Sequence, residues 1–284
     1  MKIAILGTEN SHAYAFASLI KNDPKYADIE IVGVYGYDAE ANKKLIDEGL
    51  VPYAAKNPHE FLGKVDGIMV TARHGDHHHE YAMPYIKAGI PAFIDKPFTV
   101  GMYKAAELIN AARKSGALLC GGSSLKYMDE AKPLARFAKK YKPVGGNVTA
   151  PINMVNPYGG FYFYAQHLIE ILFTVFGTDI KSVYAKGHGS ENRISVIFDY
   201  GDFDVTAQFY DSYEYTATVY AKEGSLRGST MDVTYCYGLE LDAFVNMVKS
   251  GKMPHDYDSL VKPLKLMHFI EDSFVLKQEV AVNW

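Results

Sequence analysis

The sequence predicts a doubly wound α/β domain of the Rossmann type, built on a parallel sheet, followed by an α+β domain with an open, mainly antiparallel sheet. Three observations carry this prediction. Over the first 120 residues, short apolar runs alternate with helical patterns, and such alternation requires right-handed crossovers between parallel strands. The runs are continuous and rich in β-branched residues, as in strands covered on both faces. Beyond residue 120, strand patterns follow one another directly, with turn residues between them, which points to hairpins and an antiparallel sheet. The expected domains are therefore residues 1–120 and 121–284.

The strand runs of the first part lie at 3–6, 29–34, 67–71, 91–94 and 118–120. Asn57-Pro58-His59-Glu60 offers an N-cap, a proline at the first helical position and a glutamate at the third, so a helix is expected to start there. Gly89 after 81–88 and Gly116 after 102–115 read as helix stops. In the second part a helix at 129–141 ends before Lys142-Pro143 and Gly145-Gly146, and one at 164–176 stops at Gly177. Strands are expected at 180–186, 193–199, 203–210 and 213–221, with a turn at Tyr200-Gly201-Asp202. Within 213–221, Tyr213, Tyr215, Ala217, Val219 and Ala221 share one face and Glu214, Thr216, Thr218 and Tyr220 the other. One face is then buried and the other half wet or covered by another subunit. Helices at 239–250 and 259–277 close the chain.

A net charge of −4, with 48% hydrophobic and 22% charged residues, excludes a disordered chain and argues against a nucleic-acid partner. No apolar run approaches the roughly 18 residues of a membrane span, and the opening Met-Lys-Ile-Ala-Ile-Leu-Gly does not resemble a secretory signal. A soluble, cytoplasmic protein is expected. Cys120 and Cys236 lack metal or redox spacing. The unusual feature is 22 tyrosines beside 15 phenylalanines and one tryptophan.

In a doubly wound sheet the ligand sits outside the carboxyl ends of the strands. The first strand–helix turn reads Gly7-Thr8-Glu9-Asn10-Ser11-His12. Only the first glycine of the dinucleotide fingerprint is present: Glu9 and His12 stand at the second and third positions. The turn reads equally as a helix N-terminus with polar caps, which still attracts anions. The second strand ends Tyr35-Gly36-Tyr37-Asp38, with Gly36 where a ribose-binding acid is expected and Asp38 two residues on. After Thr71 comes Ala72-Arg73-His74-Gly75-Asp76-His77-His78-His79-Glu80. Its i, i+4 pairs fit metal ligands on a helix. The favoured reading is Asp76 as an N-cap, with one or two histidines turned into the cleft and no metal. Lys96, between Asp95 and Pro97 at the end of a buried strand, points to chemistry.

Together these residues resemble the Gfo/Idh/MocA oxidoreductases, named for glucose–fructose oxidoreductase and inositol 2-dehydrogenase. Asp95-Lys96-Pro97 looks like the family's Glu-Lys-Pro, preceded by Ala88-Gly89, and Thr71-Ala72-Arg73 looks like its Thr-Pro-Asn. His78 falls where the family has a histidine before the intervening helix. The stretch from Gly159 to Glu170 resembles a glycine-rich lead into an Asp-x-Gly-x-His-x-x-Asp helix, and Ala221 to Leu226 a Gly-Ser-Leu turn. The resemblance implies oxidation of a sugar, cyclitol or related polyol, or reduction of the ketone, with NAD or NADP as cofactor. By this resemblance Lys96 polarises the carbinol oxygen and His167 handles its proton. Gly7, Thr8, Asn10, Ser11, His12, Tyr37, Asp38, Thr71, Ala72, Arg73, His78, Asp95, Lys96 and Pro97 would hold the cofactor.

The family's acid one turn before the histidine is Phe163 here, whereas Glu170 keeps the acid one turn after it. Tyr164, three residues before His167, offers a hydroxyl or a packing ring, and Glu170 would orient the imidazole or form an ion pair. Glu9 and Phe163 also motivate a second reading, a chain that binds or senses a small molecule without turnover. The second-domain sheet, carrying Tyr184, Tyr210, Tyr213, Tyr215 and Tyr220, is expected to form a homodimer or homotetramer, while Tyr158, Tyr162 and Tyr164 would line a sugar site.

Overall fold

The computed structural model describes residues 1–188 and 192–284, in two compact units. The first comprises Met1–Gly122 together with Tyr237–Val261. Its strands are β1 (Lys2–Leu6), β2 (Glu30–Tyr35), β3 (Gly67–Val70), β4 (Ala92–Asp95) and β5 (Leu119–Gly122). They form one parallel sheet in the order β2-β1-β3-β4-β5. Helices α1 (Ser11–Asn22), α2 (Ala39–Asp47), α3 (Gly75–Lys87) and α4 (Met102–Ser115) make the crossovers. Strands β1, β3 and β4 are almost wholly buried, which is why their sequences are continuously apolar. The strand order reverses between β1 and β3, so the switch point lies at Gly7 and Thr71.

Two expectations are corrected in this unit. Asn57 accepts a hydrogen bond from His59 N at 2.9 Å, as a cap would. No helix follows, only three-residue turns from Asn57 to Lys64 that end at the positive φ of Gly63. The closing helix α7 (Tyr235–Ser250) was expected in the second domain, yet Leu241, Phe244 and Met247 pack in one core with Ile3, Phe16 and Phe93. Burying that face against the parallel sheet draws Tyr237–Val261 back to the first unit.

The second unit comprises Ser123–Cys236 and Lys262–Trp284. It holds α5 (Ala131–Tyr141), β6 (Gly145–Pro151), α6 (Tyr162–Phe176), β7 (Ser182–His188), β8 (Arg193–Asp199), β9 (Asp204–Tyr210), β10 (Tyr215–Ala221) and β11 (Gly224–Thr230). The rest of α8 (Tyr257–Leu276) and the short β12 (Val280–Ala281) complete it. The sheet order is β11-β10-β6-β9-β8-β7-β12. All neighbours are antiparallel except β6 and β9. The sequence pattern missed β6, because Gly145-Gly146 reads as a breaker. Its glycine has a packing reason: a Cβ at Gly146 would lie 2.3 Å from Phe176 Cζ. On β10, Tyr215, Ala217 and Val219 are buried and Tyr220 is exposed, as the alternation predicts, but Thr216 on the opposite face is also buried, and Tyr213, which precedes the strand, is exposed. No helix among the described residues is long and apolar enough to cross a membrane.

Candidate active site

Each unit carries one cluster of buried polar groups. In the first, β1 delivers the chain to Gly7, whose φ of +104° only glycine adopts easily. A Cβ there would lie 2.2 Å from Ala72 N, so the turn runs hard against the β3–α3 loop. Thr71 Oγ1 donates to Gly7 O at 2.7 Å and locks the two together. Asn10 caps α1, accepting from Ser11 Oγ and His12 N.

The fingerprint departures have visible causes. Glu9 turns its carboxylate to the neighbouring loop, where Oε1 accepts from Arg73 N at 3.0 Å. Burial pushes its carboxyl above the ordinary range, partly offset by its own and Arg73's backbone amides. Gly36 replaces the expected acid because there is no room for any side chain: a Cβ would lie 1.8 Å from Thr8 Oγ1. Thr8 Oγ1 in turn donates to Asn42 Oδ1 at 2.6 Å, and Asn42 Nδ2 donates to Gly36 O at 2.7 Å. Asp38 Oδ1 caps α2 through Glu40 N and Ala41 N. Tyr37 is 56% exposed, with its ring 6.0 Å from His77.

The four histidines of the loop go four ways. His74, not Asp76, caps α3, its Nδ1 accepting from Asp76 N at 3.2 Å. Asp76 instead accepts from Val100 N and Gly101 N. His77 stacks on Tyr81, and His79 Nε2 lies 2.9 Å from Glu107 Oε2. His78 is fully buried, with Nδ1 against Pro97 O at 2.8 Å and Nε2 against Ala72 O at 2.7 Å. This turns His78 away from the role of a cofactor contact: its ring lies between the carbonyls of two loops, and the neutral ring donates to one of them. Among the described residues no group of three or more potential metal ligands converges.

Asp95 is the hub of the cluster. Its Oδ2 lies 2.7 Å from His12 Nδ1 and accepts from Asn10 Nδ2 at 3.0 Å, while Oδ1 accepts from Lys96 N at 2.7 Å. Burial alone would raise its pKa, but His12 and the Lys96 charge outweigh burial and hold the carboxyl below the usual range. His12 is 4% exposed and packs 4.6 Å from the Tyr237 ring. Lys96 is likewise 4% exposed. Burial pushes its amine below the ordinary lysine value, against the pull of Asp95 and Glu240. Tyr237 and the buried Glu240 arrive on α7, and sequence reasoning missed both because no local motif marks them.

In the second unit the cluster centres on α6. His167 is 6% exposed, and its Nδ1 lies 2.6 Å from Ser123 Oγ. Glu170 does not orient the imidazole: its Oε1 takes Ser123 N at 3.5 Å, Gln166 Nε2 at 3.1 Å and Lys126 Nζ at 3.6 Å. Ser123 was missed, although the Gly121-Gly122-Ser123-Ser124 strand end was the available signal. Phe163, at the position of the missing acid, packs 5.2 Å from Tyr158 and 4.8 Å from Tyr164.

Residues 1–122 match the family model described as the Gfo/Idh/MocA oxidoreductase family, NAD-binding Rossmann fold. No curated protein matches the chain in sequence. Among solved structures, myo-inositol 2-dehydrogenase from Lactobacillus plantarum superposes with a TM-score of 0.88 at 15% identity, over 100% of this chain and 99% of that one. A probable dehydrogenase from Thermotoga maritima gives 0.86 at 17%, over 99% and 98%. Scyllo-inositol dehydrogenase from Lactobacillus casei, solved with NAD(H) and scyllo-inositol, gives 0.83 at 13%, over 99% and 98%. At these identities the likeness is one of fold. Residues 1–122 thus carry the NAD-binding Rossmann fold described by the Gfo/Idh/MocA oxidoreductase model, and the whole chain shares the fold of these dehydrogenase structures.

Proposed function

We propose that this protein is a cytoplasmic NAD(P)-dependent oxidoreductase that interconverts a secondary hydroxyl and a ketone on a sugar, cyclitol or related polyol. The observation that carries the reading is the buried Lys96 at the carboxyl end of β4, whose backbone amide donates to Asp95, itself paired with His12. The first unit fits a dinucleotide. The tight Gly7 turn and the capped α1 N-terminus suit a pyrophosphate, with the Glu9 carboxylate engaged by Arg73 N. Gly7, Thr8, Asn10, Ser11, Thr71, Ala72 and Arg73 would border it, with Tyr37 and Asp38 at the ribose end. His12, His78, Asp95 and Pro97 would shape it from behind.

Bound nicotinamide supplies the hydride acceptor or donor. Lys96, as an ammonium, stabilises negative charge on the reacting oxygen. Its lowered pKa brings its proton affinity nearer working pH. By the family resemblance, His167 would act as a second group on that oxygen. Asp95 keeps a counter-charge beside Lys96 in a buried site, which a lone ammonium there would lack.

Titration with NADH and NADPH, followed by nicotinamide fluorescence, tests the cofactor. No binding at millimolar cofactor overturns the reading. Lys96→Ala should abolish turnover while cofactor binding and thermal unfolding stay near wild type, and near wild-type turnover refutes its role. Phe163 in the place of an acid favours a second reading, binding without turnover. NADH binding with no activity on a polyol panel would select it. Exposed Tyr184, Ile197 and Tyr220 on the second sheet support a homodimer or homotetramer through that face, which sedimentation at micromolar concentration tests.

A further inference from the structure

The ring of His167 is held from several sides. Tyr164 lies 5.7 Å away, tilted against it, and Tyr215 5.9 Å away, edge-on. Ser123 Oγ sits 2.6 Å from Nδ1. Ser123 is fully buried, and its hydroxyl has one hydrogen to give and two lone pairs to accept with. One lone pair is taken by Leu125 N at 3.1 Å, because Ser123 caps the turn Ser124–Tyr127. That bond has a fixed direction, since a backbone amide only donates. Among the described residues, His167 Nδ1 is the one acceptor within reach of the Ser123 hydroxyl hydrogen.

We propose that Ser123 is a positioning residue that donates to Nδ1 and so holds His167 as the neutral tautomer with its hydrogen on Nε2. His167 then meets the substrate oxygen as a hydrogen-bond donor and not as a proton acceptor. This rests on the reading above, in which His167 serves that oxygen. A hydrogen on Nδ1, in the other tautomer or in the imidazolium, would turn Ser123 Oγ into a double acceptor and leave its own buried hydrogen unsatisfied. A carboxylate at the same place would do the opposite, accepting from Nδ1 and stabilising the charged ring. Glu170 carries such a carboxylate but spends it on Ser123 N, Gln166 and Lys126, one shell behind the ring. The chemistry that suits a neutral imidazole donor is polarisation of a ketone oxygen, where the Nε2–H bond strengthens as negative charge grows on the oxygen. In ketone reduction the proton then comes from the Lys96 ammonium of that reading, leaving the amine, and in alcohol oxidation the Lys96 amine takes it.

The test is nitrogen-15 NMR of the full-length protein with labelled histidine rings, near pH 7.5 and without added cofactor or substrate, with His167→Gln assigning the signal. Wild type should show an unprotonated Nδ1 and a protonated Nε2 as a single tautomer. Ser123→Ala should release the ring into a mixture of tautomers, and Ser123→Thr, which keeps the hydroxyl, should restore the wild-type pattern. A protonated Nδ1 in wild type overturns the proposal, and so does a Ser123→Ala spectrum identical to wild type. If Ser123→Ala does not fold, the wild-type spectrum decides alone. The readout needs neither cofactor nor turnover. A failed nucleotide titration would sink the oxidoreductase reading and leave the tautomer standing, and the reverse also holds.

Discussion

Gly36→Ala tests why this chain lacks the ribose-binding acid. The new Cβ would stand 1.8 Å from Thr8 Oγ1 and 2.9 Å from both Thr8 Cβ and Thr8 N. Rotating Thr8 relieves the first contact only by breaking its 2.6 Å bond to Asn42 Oδ1. The contact with Thr8 N is to backbone and cannot be relieved by any rotamer. Overpacking of this kind costs about 1–3 kcal/mol, and the lost hydrogen bond adds about 1 kcal/mol. We therefore expect a destabilisation of about 2–4 kcal/mol by equilibrium urea unfolding. The assay is a double-mutant cycle with Thr8→Gly, which removes the obstructing side chain but not the backbone contact. The pair should couple favourably, by about 1–3 kcal/mol. The same cycle with Gly36→Asp would install the missing acid, which should destabilise less beside Thr8→Gly than alone. A Gly36→Ala variant within about 0.5 kcal/mol of wild type, a change typical of neutral surface sites, or strict additivity with Thr8→Gly, would refute the steric account.

Further outcomes follow from the same geometry. Removing the His78 ring in His78→Ala takes the hydrogen-bond donor from one of two buried carbonyls, Pro97 O or Ala72 O. It should lower stability by about 1–3 kcal/mol, and a change under about 0.5 kcal/mol would mean that the ring holds nothing. Glu9 has a raised pKa in the folded protein, so the folded state holds its proton longer than the unfolded state does. Its contribution is therefore favourable below the unfolded value of 4.5 and is lost as pH rises from there through the folded value. Relative to wild type, Glu9→Gln should gain stability over that window and stay ahead at neutral pH. A Glu9→Gln profile parallel to wild type from pH 4 to 8 would contradict the burial of this carboxyl.

How much of this was legible in the sequence depends on the range of the interaction. The parallel sheet and the Lys96 strand end follow from patterns within one segment, because apolar runs and helical spacing are local consequences of burial, whereas His167 stands out only through the family resemblance. Strand β6 was hidden because its glycines look like a breaker until Phe176 is seen to need the space. The expected helix after Asn57 failed because a good cap cannot sustain a helix that ends at Gly63 after less than two turns.

At the site the division is sharper. The sequence by itself determined which residue types stand at the carboxyl ends of β1, β3 and β4, and it showed that Glu9, Gly36 and Phe163 depart from the family pattern. Only the tertiary structure decided what those departures mean, since each is answered by a residue distant in sequence. Arg73 N takes the Glu9 carboxylate, Thr8 fills the space at Gly36, and Ser123 holds the ring of His167. Side chains 28 to 64 residues apart in the chain meet only when the strands that carry them pair and pack, and no local spacing encodes that meeting.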